Sequence, residues 1–326
     1  MAQDQAETQG ARRRRGISIS PNALFRKLIL LATQNRVVTR FVRRYGMRLG
    51  AARFVAGESW EEAIPALRRL NDQGFRTNTT LLGEALNDAD EVARVVETYI
   101  SILDSIAVEG LQTNIALKLT QLGLNLDEEF AYANVVRIAT HAASLGIFIR
   151  IDMEESARVD ATLRIFRRLR DAGHDNVGTV LQSALFRTAD DLESLLPLKP
   201  NLRLVKGAYL EPPDVAYSAK RDVDRNYIRL AHRMLEGNSF TAIATHDARI
   251  IEHVIGYARR HDIPSQRFEF QMLYGISANL QRDLLNRGYS VLVATPFGSE
   301  WYYYLMRRLA ERPANVLFLL KGLLRR

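Results

Sequence analysis

Residues 114–151 read N-I-A-L-K-L-T-Q-L-G-L-N-L-D-E-E-F-A-Y-A-N-V-V-R-I-A-T-H-A-A-S-L-G-I-F-I-R-I. The opening run, 114–119, is short, apolar and strand-like. Asp127 is a natural N-cap, and apolar residues recur at three- and four-residue spacing over 128–144, which predicts a helix. Gly146 falls in the turn that follows, and 147–151 is again strand-like. A strand, a helix and a second strand joined by short turns form a βαβ unit, whose two strands pair in parallel.

The same rhythm extends in both directions. Strand-like runs lie at 77–82, 114–119, 147–151, 178–182, 203–205, 241–244, 267–271 and 290–294. Helical patterns lie at 89–107, 128–144, 155–171, 189–195, 219–236, 248–261 and 277–286. Asn87 is read as an N-cap, and Gly173 and Gly288 sit in further helix-to-strand turns. Eight strands, each followed by a helix, is the count of an α/β (βα)8 barrel. A doubly wound open sheet is the rival, but it usually carries a Gly-rich turn after its first strand. Thr80-Leu81-Leu82-Gly83-Glu84 is not one. Ahead of the rhythm, 21–45 is amphipathic and basic. A helix over 59–73 is marked by Ser59 with Glu62 as a capping box and by Gly74 as a stop. The expected organisation is a polar tail over 1–16, a helical arm over 17–75 and a barrel over 76–326.

Composition narrows the chemistry. The chain has 326 residues, no cysteine and a net charge of +8. Thiolate chemistry and Cys-ligated zinc are thereby excluded. The basic excess is arginine, since only six lysines occur. No helix-turn-helix, zinc-finger or aromatic-rich RNA motif accompanies it, so nucleic acid is not expected. No apolar run reaches the roughly 18 residues of a spanning helix. Residues 1–16 lack the apolar core of a signal peptide.

In a barrel of this kind, chemistry sits where strands end. Those positions hold Glu84 after strand one, Lys118 at strand two, Arg150 and Asp152 at strand three, and Gln182 at strand four. Arg203 and Lys206 follow at strand five, Thr245-His246-Asp247 at strand six and Gln271 at strand seven. Lys118 interrupts an apolar run, where burying a charge is costly. Beyond strand eight, 296–315 reads P-F-G-S-E-W-Y-Y-Y-L-M-R-R-L-A-E-R-P-A-N. Ser299 is read as its N-cap and Pro313 as its stop. Tyr304 and Arg308 share a face four residues apart. Arg307 beside Arg308 places two guanidinium groups together, an arrangement suited to a carboxylate or phosphate. The mouth is thus rich in cations. Walker, G-x-S-x-G and G-x-G-x-x-G signatures are absent, as is zincin spacing around His246. An anionic substrate and an anionic or electron-rich cofactor are expected, and no metal.

Taken together, these residues resemble the proline dehydrogenase family, from about Tyr45 to the C-terminus. The carriers are Leu82-Gly83-Glu84, Lys118-Leu119-Thr120, Ile151-Asp152-Met153-Glu154, Val180-Leu181-Gln182, Arg203-Leu204-Val205-Lys206-Gly207-Ala208-Tyr209 and Ala244-Thr245-His246. Phe268-Glu269-Phe270-Gln271-Met272-Leu273-Tyr274-Gly275 and Tyr304-Leu305-Met306-Arg307-Arg308-Leu309-Ala310-Glu311 complete the set, all in family order. The resemblance implies a distorted (βα)8 barrel with non-covalent FAD across its mouth, and hydride transfer from proline to flavin N5. It implies that Lys118, Arg307 and Arg308 bind the substrate carboxylate, with Asp152 nearby, and that Tyr209, Leu273 and Tyr304 wall the ring. It places Arg203 by the flavin N5 and Gln182 on the isoalloxazine. Val205, Lys206, Gly207, Ala208, Thr245, His246, Gln271, Leu273, Arg308, Glu311 and Asp152 fall along the cofactor. Glu84 matches an acid that can pair with an arginine of the last helix. The expected product is a cyclic imine such as Δ1-pyrroline-5-carboxylate, with electrons passing to a membrane quinone.

One position departs from the family pattern. Where the family usually has a tyrosine against the far edge of the ring, this chain has Ala294. The expectation is a larger pocket and a larger substrate, such as 4-hydroxyproline, unless Phe297 or Tyr289 fills the space. Two other readings use the same residues. One is a Schiff-base lyase or aldolase with Lys118 or Lys206 as the amine. The other is a basic membrane-surface binding module. The expected location is cytoplasmic, with peripheral contact on the inner membrane face if the apolar, basic stretch 315–326 lies on lipid rather than on the barrel.

Overall fold

Eight parallel strands close into one barrel in the order β1 to β8. They are β1 (Arg76–Leu81), β2 (Thr113–Leu117), β3 (Ile149–Ile151), β4 (Val177–Gln182), β5 (Asn201–Val205), β6 (Phe240–Ala244), β7 (Phe268–Leu273) and β8 (Val291–Phe297). The computed structural model describes residues 36–83, 85–237 and 239–311; of the side chains at 36–38, 41, 48, 49, 307, 310 and 311 nothing is said. The readings made for 1–16, Glu84 and 315–326 lie outside the described residues.

All eight strands read from the sequence are present, with shifted ends. β8 runs on through Pro296, pairing Thr80 with Pro296 and Leu81 with Phe297. A proline cannot donate to a ladder. Its carbonyl still accepts from Ala56 N at 2.9 Å, so a segment before the barrel completes this strand end.

Between the strands lie α3 (Ala89–Val108), α4 (Glu128–Ser144), α5 (Val159–Asp171), α6 (Thr188–Leu195), α7 (Lys220–Glu236), α8 (Ala248–Arg260) and α9 (Ala278–Asn286), and before them α1 (Arg36–Leu49) and α2 (Trp60–Asp72). α10 (Trp301–Glu311) follows β8. Asp127 caps α4 through Phe130 N at 2.9 Å. The cap of α3 is Asp88 rather than Asn87: Asp88 accepts from Glu91 N at 2.9 Å, while the Asn87 oxygen accepts from Asn125. Ser59 caps α2 as read, but Glu62 takes the N–H of Glu58 instead of closing the box on Ser59. α10 starts at Trp301, two residues past Ser299, and the intervening Glu300 is engaged by Arg43 at 2.7 Å.

The side chains alternate as a barrel requires. Ile115, Leu117, Ile149, Ile151, Leu202 and Leu204 point outward and are fully buried under the helices. The inward set is strongly polar and includes Asn78, Arg150, Asp152, Arg203, Glu269 and Gln271. α2 packs against β1 and β8, the flank that a helix following strand eight would ordinarily cover. α10 packs instead on α1, and on Leu82, Leu273 and Ile276 at the C-terminal ends of β1 and β7. A second apolar cluster, separate from the barrel core, holds it there through Trp301, Tyr302 and Leu305. The chain before the barrel touches the mouth directly: a Cβ at Gly275 would lie 1.8 Å from the Arg53 carbonyl, and its φ of +72° also favours glycine.

Candidate active site at the barrel mouth

The strand ends lie at the C-terminal mouth, where several of the expected residues contact one another in small groups. Asp152, one residue past β3, accepts from Arg203 of β5 at 3.1 Å. A second Arg203 nitrogen lies 3.5 Å from the Asn78 oxygen of β1. The Arg203 side chain is only 11% exposed and is held from two sides of the barrel. Burial pulls its pKa below the ordinary guanidinium value, with Asp152 and Glu269 opposing. A guanidinium remains charged under such pressure.

Lys118 follows β2 directly and is half-buried. Its neighbourhood is fixed by Glu154, which is 5% exposed. The Glu154 carboxylate accepts from Thr120 Oγ1 at 2.6 Å and Thr120 N at 3.1 Å, and its backbone carbonyl accepts from Gln182 Nε2 at 2.8 Å. One residue therefore ties together the ends of β2, β3 and β4. Sequence alone assigns Glu154 no role, because a carboxylate that folds back on a loop carries no periodic signal. Burial pushes its pKa up, against the two Thr120 bonds and the charge of Lys118. Glu154→Ala leaves the Thr120 donors buried without their acceptor and should destabilise the fold by about 1–3 kcal/mol. Chemical denaturation reads this directly, and an unchanged unfolding midpoint would contradict it.

Gln182 also shapes the floor beside Gly207. Gly207 has φ +116°, and a Cβ there would lie 3.1 Å from Ala184 Cβ and 3.2 Å from Gln182 Oε1. Gly207 and Ala208 are exposed, and Tyr209 follows half-buried on the same loop. On β7, Gln271 is buried and donates to Glu269 at 2.6 Å. Leu273 N donates to His246 Nε2 at 3.3 Å, which fixes an accepting nitrogen on that ring. Thr245 Oγ1 accepts from Asp247 N at 3.1 Å. Val205 and Ala294 are partly exposed at the mouth. Arg308 lies over the Tyr304 ring at 5.4 Å on α10. Arg307 and Glu311 lie in that helix, but their side chains are among those not described.

One expectation needs correction. Arg150 is not a mouth residue. It is 2% exposed and donates to Thr179 O at 3.0 Å, Asn201 O at 2.6 Å and Asn201 Oδ1 at 2.5 Å. Asn201 opens β5, so these acceptors draw Arg150 toward the opposite end of the barrel. Lys206 stands just past β5 and is ion-paired. It pairs with Asp224 at 2.5 Å and Asp247 at 3.5 Å, and Lys220 joins the same cluster. Asp224 comes from α7, far along the sequence. An ion-paired ammonium has no lone pair for imine formation, which weighs against Lys206 as a Schiff-base amine.

The cluster carries a pH signature. Burial pushes the Asp224 carboxyl up, but Lys206 and Lys220 outweigh it and hold the group below its ordinary value. Asp247 behaves alike, burial opposed by Lys206 and Arg249. A carboxyl lowered in the folded state adds stability above its unfolded pKa, about 4, and loses it as pH falls through that range. The melting temperature should therefore drop between about pH 5 and pH 3, and Asp224→Asn should flatten part of that drop. An identical pH profile in the variant would contradict the assignment.

The chain is similar to known proteins along most of its length. Residues 63–321 match the family model described as Proline dehydrogenase. Proline dehydrogenase 1 of Bacillus subtilis (strain 168) is 41% identical over 303 residues, covering 93% of this chain and 100% of that protein. Proline dehydrogenase of Deinococcus radiodurans is 42% identical over 306 residues, covering 93% and 98%. Among solved structures, proline utilization A from Bdellovibrio bacteriovorus, inactivated by N-propargylglycine, superposes with a TM-score of 0.77 at 24% identity. That likeness covers 88% of this chain and 36% of the larger one, and it shows the shared fold.

Proposed function

This chain belongs to the proline dehydrogenase family, and we propose that it oxidises L-proline or a close cyclic relative to the cyclic imine. The observation that carries this reading is the family match over 63–321, which spans every strand end gathered at the mouth. The substrate loses a hydride from the ring carbon beside nitrogen and a proton from the nitrogen.

FAD is the cofactor of this reading, and when bound it supplies the hydride acceptor. Two features support it. The bare Gly207 backbone beside Gln182 suits close approach of a flat or phosphorylated ligand. Arg203 Nε is buried with no hydrogen-bond partner among the described residues, so a donor remains available at the mouth. Asp152, Gln182, Arg203, Val205, Lys206, Gly207, Ala208, Thr245, His246, Gln271, Leu273, Arg308 and Glu311 would hold it. Arg203, fixed by Asp152 and Asn78, keeps positive charge where negative charge develops. Lys118, Arg307 and Arg308 grip the substrate carboxylate, while Tyr209, Leu273 and Tyr304 wall the ring. Binding one end through several charges orients the other, which is catalysis by positioning.

The substrate proposal is finer: a substrate larger than L-proline, such as 4-hydroxyproline or another substituted or enlarged cyclic amino acid, fits against Ala294. What supports it is where the two candidate fillers lie. Phe297 is 3% exposed and packs outward with its ring 5.4 Å from Trp60. Tyr289 packs on Phe268 and Phe270 at the other end of the barrel. A quinone acceptor, a cytoplasmic location and contact of 315–326 with anionic lipid complete the proposal. Among the described residues no helix is long and apolar enough to cross a membrane. The test is turnover of L-proline with an artificial electron acceptor. It should require FAD and yield a product that reacts as a cyclic imine; turnover undiminished after FAD removal would refute it.

A further inference from the structure

Glu269 has no place in the mechanism above, yet it lies inside the barrel directly beneath the site. It precedes Gln271 by two residues and Leu273 by four on β7, so all three face inward in one row. Glu269 is 2% exposed. One carboxylate oxygen accepts from Gln271 Nε2 at 2.6 Å. The other pairs with Arg76 at 3.3 Å and lies 3.4 Å from Ser290 Oγ. Its charge also acts on both buried guanidinium groups of the interior, Arg150 and Arg203.

Two consequences follow from elementary chemistry. An ionised carboxylate only accepts hydrogen bonds, so it dictates which end of the Gln271 amide turns toward it. Its negative charge also offsets the barrel's inward-facing guanidinium groups, Arg76 and Arg150 below and Arg203 at the mouth, where Asp152 is the other inward acid among the described residues. The interior is shielded from solvent, so such charges act over longer distances than on the surface.

We infer that Glu269 is a positioning residue of this site, which fixes the Gln271 amide and tempers the positive field that Arg203 presents at the mouth. The inference rests on the reading that FAD binds there. Removing the charge makes the floor more positive and favours the electron-rich state of the cofactor, so the potential of bound FAD rises.

The experiment is a spectroelectrochemical titration of the FAD-loaded full chain and of Glu269→Gln and Glu269→Asp. Glu269→Gln should keep FAD and raise the two-electron midpoint potential by about 30 mV, a tenfold shift in the equilibrium. Glu269→Asp, which retains the charge, should stay within a few mV of the natural protein. Equal potentials in Glu269→Gln and the natural protein would overturn the inference, as would equal shifts in both variants, which would mark a packing effect. Should Glu269→Gln not fold, Arg76→Gln reads the same field at a half-exposed position: its potential should fall, and an unchanged value would overturn the inference. A natural chain that binds no FAD would instead overturn the FAD reading and this inference with it.

Discussion

Lys118→Ala lowers kcat/KM for L-proline by about ten- to a hundredfold while FAD stays bound. A hydrogen bond from a charged group contributes about 1.5–3 kcal/mol, which is that range of rate. The carboxylate does not react, so its grip serves orientation, and a loosened substrate presents the wrong carbon less often. Arg308→Ala should behave alike and should also release the Tyr304 ring from its cation partner. Arg307→Ala extends the series. Losses in residues that act as one clamp do not add, so the double variant Lys118→Ala/Arg308→Ala should lose less than the product of the single effects. Anaerobic reduction rates at subsaturating proline measure this. Unchanged rates in all three single variants would remove the clamp from the account.

Ala294→Tyr changes substrate preference by about 10–200-fold toward L-proline over 4-hydroxyproline. Ala294 lies on β8 and is partly exposed at the mouth, opposite Leu273 of β7 in the sheet register. A buried aromatic covers on the order of 150–250 Å², so a tyrosine there would fill space that a ring substituent needs. In the natural chain Phe297 packs on Trp60 and Tyr289 on Phe268 and Phe270, so both candidate rings are engaged elsewhere. The natural protein should accordingly accept 4-hydroxyproline at a rate comparable to proline or better. A tenfold or greater preference of the natural protein for proline, or an unchanged ratio in Ala294→Tyr, would defeat the enlarged-pocket proposal.

The barrel was legible in the sequence because its signals are local. Short apolar runs between capped helices mark strands, and Asp127 and Gly146 bound the helix inside the unit at 114–151 by chemistry visible within a few residues. What escaped depends on distant partners. The extension of β8 through Pro296 relies on Ala56, and the displacement of α10 from the flank that α2 covers relies on a second apolar cluster that holds α10. The site divides the same way. Lys118, Asp152, Gln182 and Arg203 announce themselves as polar residues at strand ends. Arg150 follows the same pattern and points elsewhere, because its acceptors on β4 and β5 draw it down the barrel. Lys206 looks like a bare cation until Asp224 of α7 is brought beside it. Glu154 and Glu269 carry no sequence signal of their role, since each acts by folding onto a neighbour.

The most direct measurement is an anaerobic single turnover of the FAD-loaded chain with L-proline, followed by its visible absorbance and by product trapping. The account predicts loss of the oxidised flavin band with one equivalent of cyclic imine formed for each flavin reduced. An unchanged flavin spectrum, with a lysine adduct trapped by borohydride and a keto-acid, would contradict it and favour the Schiff-base reading.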